Sequence, residues 1–460
     1  MAVLAVGVHT TKGLGMFHLG FFLGTGFGIQ AWKANGDHGP WVGHNVSEWM
    51  RPDLYVDMAR SLERAGFDYI LIEDTSMVED TFGGTAEATL RHGRFAPKND
   101  PMPLVPLIAQ DTKHIGIIPT VSTIQYPPYL AARLFATLDH LTHGRVGMNV
   151  VTSVTDRVAQ NFGYDKHLDH ADRYTMAGEW IEVVRKLQAS WEPDAVIADP
   201  VNGVYADHTK VHPIDHVGAY FSVRGPLNTI PGPQYQTPIA SAGSSEQGRT
   251  LAASYGDTMV SLAPTVEEMK KYREDMSARM IAQGRKPSDI KLLFLSSPVV
   301  AATDADAQAI VEAGRAARDS PAAIEQNLWM MSYVSGGRVD FSRYPLDTPV
   351  EEIDLTDVNG EKSSVAAIFK DSAGKTLRQI ATGNLHGSGV DLVGSPETVA
   401  SKMEEVMEEV GGDGFLVALP TVTRTSIAAL ADGLAPVLQR RGLIRSEYTG
   451  ATLRENLQAF

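Results

Sequence analysis

Two stretches of the sequence carry polar residues at spacings suited to holding an anion. In the first, Ala242-Gly243-Ser244-Ser245-Glu246-Gln247-Gly248-Arg249, small residues form a turn directly ahead of a helical pattern. Backbone N–H groups in such a turn face outward at the positive end of the helix, and with the two hydroxyls they could accept a phosphate. A plain serine-capped helix would read the same way. In the second stretch, from His167 to Tyr174, His170 and Tyr174 stand four apart on one helical face, so both could reach one phosphate or the polyol joined to it. His167, Asp169 and His170 also invite a metal reading. No His-Glu-x-x-His spacing or distant third ligand supports it.

A second group of candidates ends apolar runs. Asp74 closes Leu71-Ile72-Glu73, where a carboxylate could meet a polar ring edge or merely cap the next helix. Thr120 lies in Pro119-Thr120-Val121-Ser122-Thr123, and Asn149 and Thr152 in Asn149-Val150-Val151-Thr152-Ser153. Uncharged donors and acceptors at such places suit a heteroaromatic group in an apolar pocket, although Thr and Asn are also ordinary turn residues.

These residues have meaning only if a fold gathers them. Short apolar runs alternate with amphipathic helices, the pattern of a parallel α/β sheet. The expected strands are His18–Phe22, Tyr69–Ile72, Ile115–Thr120, Val146–Val151, Pro238–Ala242, Thr258–Leu262, one within Ile290–Ala301, and Gly414–Leu419. Between them the periodicity predicts helices over Pro52–Ala65, Tyr129–Leu141, Ala171–Ser190, Glu246–Tyr255, Thr265–Gln283, Ser395–Gly411 and Ser426–Gln439. Eight alternations favour a closed (β/α)₈ TIM barrel, whose active site lies at the carboxyl ends of the strands. The candidates above sit at such ends.

Three stretches break the rhythm: Thr81–Met102, Asp194–Leu227 and Asp304–Val393. Long connections of this kind are often functional. The third, with Ser335-Gly336-Gly337 and a Gly- and Ser-rich run from Gly383 to Gly394, is expected to be an insertion acting as a lid over the barrel mouth. The expected organisation is a single barrel domain over residues 1–460, with 1–16 read as a ragged or extended start.

Composition removes several classes of function. Fifty-five acids against forty Lys and Arg give a net charge of −15, which repels nucleic acid and anionic lipid surfaces. There are no cysteines, so disulfides, thiolate metal sites and thiol nucleophiles are excluded. No apolar run approaches the ~20 residues of a membrane span. The stretch Met1–Met16 lacks the basic leading region of a secretory signal, so cytoplasm is the expected location.

Longer motifs join these positions. They are "LAARLFATLDHLTHGRVGMNVVTS" from Leu130, "NFGYDKHLDHADRY" from Asn161, "VRGPLN" from Val223, "AGSSEQGR" from Ala242 and "VLQRRGLIRSEYTGATLREN" from Val437. In them, from about Gly20 onward, the chain resembles the flavin-dependent monooxygenases typified by the nitrilotriacetate, dibenzothiophene-sulfone and long-chain alkane enzymes, of the luciferase-like barrel superfamily. The resemblance implies that Asp74 and Thr120 contact a flavin ring, that Asn149 and Thr152 line its edge, and that His170, Tyr174, Ala242, Gly243, Ser244 and Ser245 hold its ribityl phosphate. Three positions depart from the family pattern. Met148 stands where Trp is usual, Val154 where the alkane-type enzymes carry His, and a second His of those enzymes is replaced around Ser332. The alkane substrate and a histidine acid–base role are therefore not carried over.

The implied activity is that of a two-component FMN-dependent monooxygenase. Reduced FMN (FMNH2) would activate O2 as a C4a-(hydro)peroxide that oxygenates a small organic substrate bearing sulfur, nitrogen or halogen, or a hydrocarbon. The chain lacks a G-x-G-x-x-G dinucleotide fingerprint, so reduced flavin would come from a separate NAD(P)H:FMN oxidoreductase. The resemblance also implies a homodimer or homotetramer. Phe22, Trp32, Met77 and Phe82, near the predicted rim, are candidates to touch substrate; no catalytic residue is assigned and no metal is expected. A deazaflavin-dependent hydride transferase of the same superfamily and a non-enzymatic flavin-binding protein are the rival readings.

Overall fold

A computed structural model describes residues 15–24, 50–356, 358, 365, 368–369, 372–383 and 390–460. Eight parallel strands close into a barrel in sequence order: β1 His18–Leu23, β2 Tyr69–Ile72, β3 Gly116–Ser122, β4 Met148–Val151, β5 Ile239–Ala242, β6 Thr258–Ser261, β7 Lys291–Ser296 and β8 Gly414–Ala418. Each pairs with its neighbours in parallel, and β8 returns to β1 with Gly20 opposite Leu416. The expected strands agree with these to within a few residues at their ends. The seventh, expected within Ile290–Ala301, spans Lys291–Ser296; Val299–Val300 pairs with Val393–Gly394 in a separate two-stranded sheet. Pro298, which has no N–H to give a ladder, separates the two.

Alternation along the strands splits the core. One set of side chains faces the helices, and the other, Tyr69, Leu71, Ile118, Ala240, Val260, Leu293 and Leu416, fills the barrel with Leu453 and Leu457 from beyond β8. Gly116 and Gly147 leave room for this segment, since a Cβ on them would stand 2.5 and 3.1 Å from the Leu453 methyls. The amino end of the barrel is thereby plugged.

The helices follow from their sequences. In α1 (Pro52–Arg64), Pro52 opens the helix, Asp53 and Arg64 match its dipole, and Leu54, Met58 and Leu62 are buried along one stripe. Among the helices that escaped the pattern is α2, Pro101–Asp111, whose prolines obscure it. Pro101 opens its first turn, and the Asp100 side chain caps it by accepting from the Met102 N–H. Around the barrel follow α3 (Pro128–Leu141), α4 (His170–Gln188), α5 (Glu246–Tyr255) and α6 (Val266–Ala282).

The long third connection holds helices α7 (Asp304–Ala317) and α8 (Pro321–Val334), then a short turn of helix at Leu377–Ala381. Part of its Gly-rich run, 384–389, lies outside the described residues. In α8, Leu328, Trp329, Met330 and Met331 are buried in succession, so the stretch lacks a one-faced stripe. The insertion has its own apolar clusters, and Trp329, Met330 and Val334 pack with Ala88 and Phe95 from the first connection. The second connection adds two antiparallel ribbons, Val196–Asp199 with Val204–Ala206 and His216–Val217 with Ser222–Val223. After α9 (Pro396–Val410), the closing helix is not continuous as expected. It runs Arg424–Ala428, widens to a π-turn over Ala429–Leu434, and resumes at Ala435–Arg440, where Pro436 has no N–H for a regular turn.

Candidate active site

Thr120, in the carboxyl half of β3, and Asn149, the second residue of β4, are register partners, and both are buried. The Thr120 hydroxyl donates to the Ile72 carbonyl at 2.7 Å, which leaves its oxygen free to accept from Asn149 Nδ2 at 2.8 Å. That arrangement fixes the amide orientation. Asn149 Oδ1 is then a buried acceptor with no partner among the described residues. Buried acceptors are ordinarily satisfied, and leaving one open costs about 1–3 kcal/mol. The site therefore fits a bound group that brings an N–H donor, such as the imide of a flavin ring.

Beyond Asn149 the chain turns sharply at Ser153, whose φ of 57° is the left-handed region that non-glycine residues seldom adopt. Two donors hold the turn. His167 Nε2 donates to the Thr152 carbonyl at 2.8 Å, and Arg173 Nη1 donates to the Ser153 carbonyl at 2.8 Å. Ser122 and Ser153 hydroxyls meet at 2.7 Å. Burial, reinforced by Arg173, depresses the His167 pKa to about 4, so the ring is a neutral strut. Among the described residues no group of three His, Asp or Glu is placed to hold a metal. Arg173 lay within the motif read from sequence, but nothing in its spacing marked it as a brace.

The second half of the site is built by adjacent helices. His170 opens α4, and its ring lies 5.0 Å from that of Tyr174, so the expected shared face is present. Tyr174 reaches the start of α5: a Cβ on Gly248 would stand 3.2 Å from its hydroxyl, and one on Gly243 3.7 Å away. Ser245 caps α5, its hydroxyl accepting from the Gly248 N–H at 3.1 Å. Arg249 and Tyr272 brace the turn from behind, donating to the carbonyls of Ser244 at 2.7 Å and Gly243 at 2.9 Å. Ala242, Gly243, Ser244 and Ser245 are thus gathered with Tyr174 and His170 around one helix N-terminus. Its first-turn N–H groups have no intrahelical acceptors and point where an anion is favoured.

Asp74, just past β2, stands in a cluster of charge. Burial raises its pKa to about 7, with Lys98 opposing and Glu73 and Asp100 adding to the rise. Lys98 Nζ is paired with Glu73 at 2.7 Å and lies 5.1 Å from the centre of the Phe95 ring. Among the substrate candidates, Phe22 is half-buried and packs on the barrel interior. Met77 is buried with Ile124, Val158 and Met176, while Phe82 packs between the first and third connections. Trp32 lies outside the described residues. Sequence reasoning missed Lys98, Phe95 and Tyr333; only their position after a strand end or inside an insertion hinted at them.

The departures from the family pattern also have places. Met148 is fully buried and faces the helix layer, where it packs in the core. Ser332 accepts from the Phe341 N–H at 3.1 Å and shapes the loop after α8.

A polar cradle at a helix start and an unsatisfied acceptor at the strand tips leave the family to be decided by comparison. The family described as luciferase-like monooxygenase matches residues 31–414. The chain belongs to that family. It is 37% identical over 429 residues to the dibenzothiophene-sulfone monooxygenase of Rhodococcus erythropolis, covering 91% of this chain and 93% of the relative. To component A of the nitrilotriacetate monooxygenase of Aminobacter aminovorans it is 35% identical, covering 88% of this chain and 89% of the relative. Among solved structures, riboflavin lyase RcaE, described with modified FMN and its substrate riboflavin, superimposes with a TM-score of 0.83 at 29% identity, covering 97% of this chain and 96% of that one. The luciferase-like barrel is therefore the fold, and the named relatives point to oxygenase chemistry. No helix among the described residues is long and apolar enough to cross a membrane.

Proposed function

We propose that this chain is the oxygenating component of a two-component, FMNH2-dependent monooxygenase acting on a small organic substrate. The observation that carries the reading is the open Asn149 Oδ1 at the strand tips, joined to a helix-start cradle one strand further round the barrel. In this reading Asn149 accepts from the flavin imide, while Thr120 holds the Asn149 amide in place. Asp74 and Thr152 lie along the ring. His170, Tyr174, Ser244 and Ser245 hold the ribityl phosphate, with the N–H groups of the Ala242–Ser245 turn and the α5 start.

Bound reduced FMN supplies the activation of O2. The protein's own work is to orient the ring, to keep water out and to hold a proton nearby. With a pKa near 7, Asp74 can hold a proton at its carboxyl oxygen or release it at neutral pH. The connection 304–393 serves as the lid, and Phe22, Met77 and Phe82, with Trp32, contribute to the substrate side. Reduced flavin comes from a separate NAD(P)H:FMN reductase, in the cytoplasm. A relative named as component A supports a divided system. A homodimer or homotetramer, each chain a single barrel domain, completes the proposal.

The test is a comparison of FMN with riboflavin by fluorescence quenching, in the wild type and in Ser245→Asp. The wild type should favour FMN, and the added carboxylate should abolish that preference. Oxygen uptake coupled to a flavin reductase and NADH should follow FMN binding. If wild-type protein binds the two flavins equally, the proposed cradle is wrong.

A further inference from the structure

Arg94 stands just before Phe95, in the connection between β2 and α2, and has no counter-ion among the described residues. Its Nη2 donates to the neutral Gln326 amide oxygen at 3.3 Å, and its Nε is buried without a partner. Burial depresses its pKa. The adjacent acid on α8, Glu325, is already engaged by Arg91 at 3.0 Å and His92 at 2.6 Å. Arg94 is half-buried, a guanidinium stays charged in proteins, and a partly desolvated charge left unpaired is unfavourable. Such an arrangement is maintained at a cost unless an anion arrives from outside.

The surroundings say what sort of anion. Phe95 lies against Tyr333 with ring centres 4.6 Å apart and against Trp329 at 5.6 Å, and the Trp329 and Tyr333 rings are parallel to within 2°. Tyr333 also packs on the cluster of Met77 and Ile124. On its other side Phe95 faces Lys98, which is bound to Glu73 beside Asp74. Gln326, the partner of Arg94, stands on α8 three residues before Trp329 and seven before Tyr333, so the guanidinium and the aromatic panel share that helix, and the panel leads through Lys98 towards Asp74.

We propose that Arg94 is a specificity-determining residue that anchors the oxyanion of the substrate, a carboxylate or sulfonate joined to a flat apolar body lying along Phe95 and Tyr333. A planar guanidinium matches both groups through paired N–H donors, and its partly desolvated setting strengthens the contact. The inference rests on the flavin reading for the direction in which the substrate points; the anion site itself stands without it.

The experiment is calorimetric titration of the FMN-loaded protein, and of the same protein without FMN, with benzoate, benzenesulfonate and the neutral benzamide. At least one anion should bind the wild type tenfold or more tightly than benzamide does, and more weakly as salt is raised. Arg94→Gln should lose that advantage, and Arg94→Lys should restore part of it. Both variants should bind FMN as the wild type does and melt at the same temperature or higher, since an unpaired, half-buried charge has been removed or eased; a purely structural arginine would lower the melting temperature. Equal binding of both anions and benzamide to the wild type, or an unchanged anion affinity in Arg94→Gln, overturns the proposal. A wild type that does not bind FMN but still binds the anion through Arg94 sinks the flavin reading alone.

Discussion

Replacing Asn149 with Leu separates a cofactor role from a structural one, because the two predict opposite signs. In the apoprotein the change deletes the 2.8 Å bond to Thr120, a loss of about 0.5–1.5 kcal/mol for a hydrogen bond of this kind. It also deletes the unsatisfied Oδ1, which relieves about 1–3 kcal/mol. Thr120 keeps its bond to the Ile72 carbonyl, so no new orphan donor is created. Leu keeps the branched skeleton and heavy-atom count of the Asn side chain, and the net effect on apoprotein stability lies between neutral and a gain of roughly 2 kcal/mol. The FMN complex responds the other way. A flavin N–H buried against a leucine methyl loses its acceptor, costing about 1–3 kcal/mol, a fall in affinity on the order of 10- to 100-fold. Urea unfolding of the apoprotein and a fluorescence titration with FMN measure the two quantities. An apoprotein destabilised by more than about 1 kcal/mol, with FMN affinity unchanged, would falsify the assignment of Oδ1 to the ligand.

Three further outcomes are expected. With a folded pKa of about 7 against 3.8 for the free group, Asp74 keeps its proton in the folded state over a range where the unfolded chain has lost it; its contribution to stability is therefore full below about pH 4 and lost as pH rises to about 7. Carboxyl carbon NMR should find the midpoint, and Lys98→Met should move it upward, a shift in the other direction being incompatible with the charge cluster described. Gly248→Val places a side chain against the Ser245 and Tyr174 hydroxyls, 3.1 and 3.2 Å from the Cβ, and should weaken FMN binding while leaving riboflavin binding nearly intact; equal weakening of both would remove the cradle from the phosphate. Leu453→Ala, at a fully buried site, should cost about 2–5 kcal/mol in denaturant unfolding, and Gly116→Ala should be tolerated far better in that background than alone.

What could be read from the sequence follows from how local each signal is. Barrel strands are short apolar runs bounded by turns, and helices such as Pro396–Val410 carry a Ser395 cap, an opening proline and a closing Gly411 at φ 64°, so each announces itself within a few residues. The prolines of α2 and the unbroken apolar run of α8 erased that local pattern, and only packing against α1 and Phe95 explains why they are helical. The candidate site divides in the same way. The Ser-Ser turn and the His170/Tyr174 pair are local motifs, and the structure brings them together because β4 and β5 are neighbours. The unpaired Asn149 oxygen, the strained Ser153 turn and the lone charge of Arg94 are relations between residues far apart in the chain. Spacing carries no trace of them.

The floor of the barrel is finished by Leu453 and Leu457, well after β8 ends at Ala418. A nascent chain whose eight strands have all left the ribosome still has a wet interior, with Gly116 and Gly147 framing a hole. Closure of the sheet and drying of its centre are then separable steps, the second awaiting the residues that follow β8.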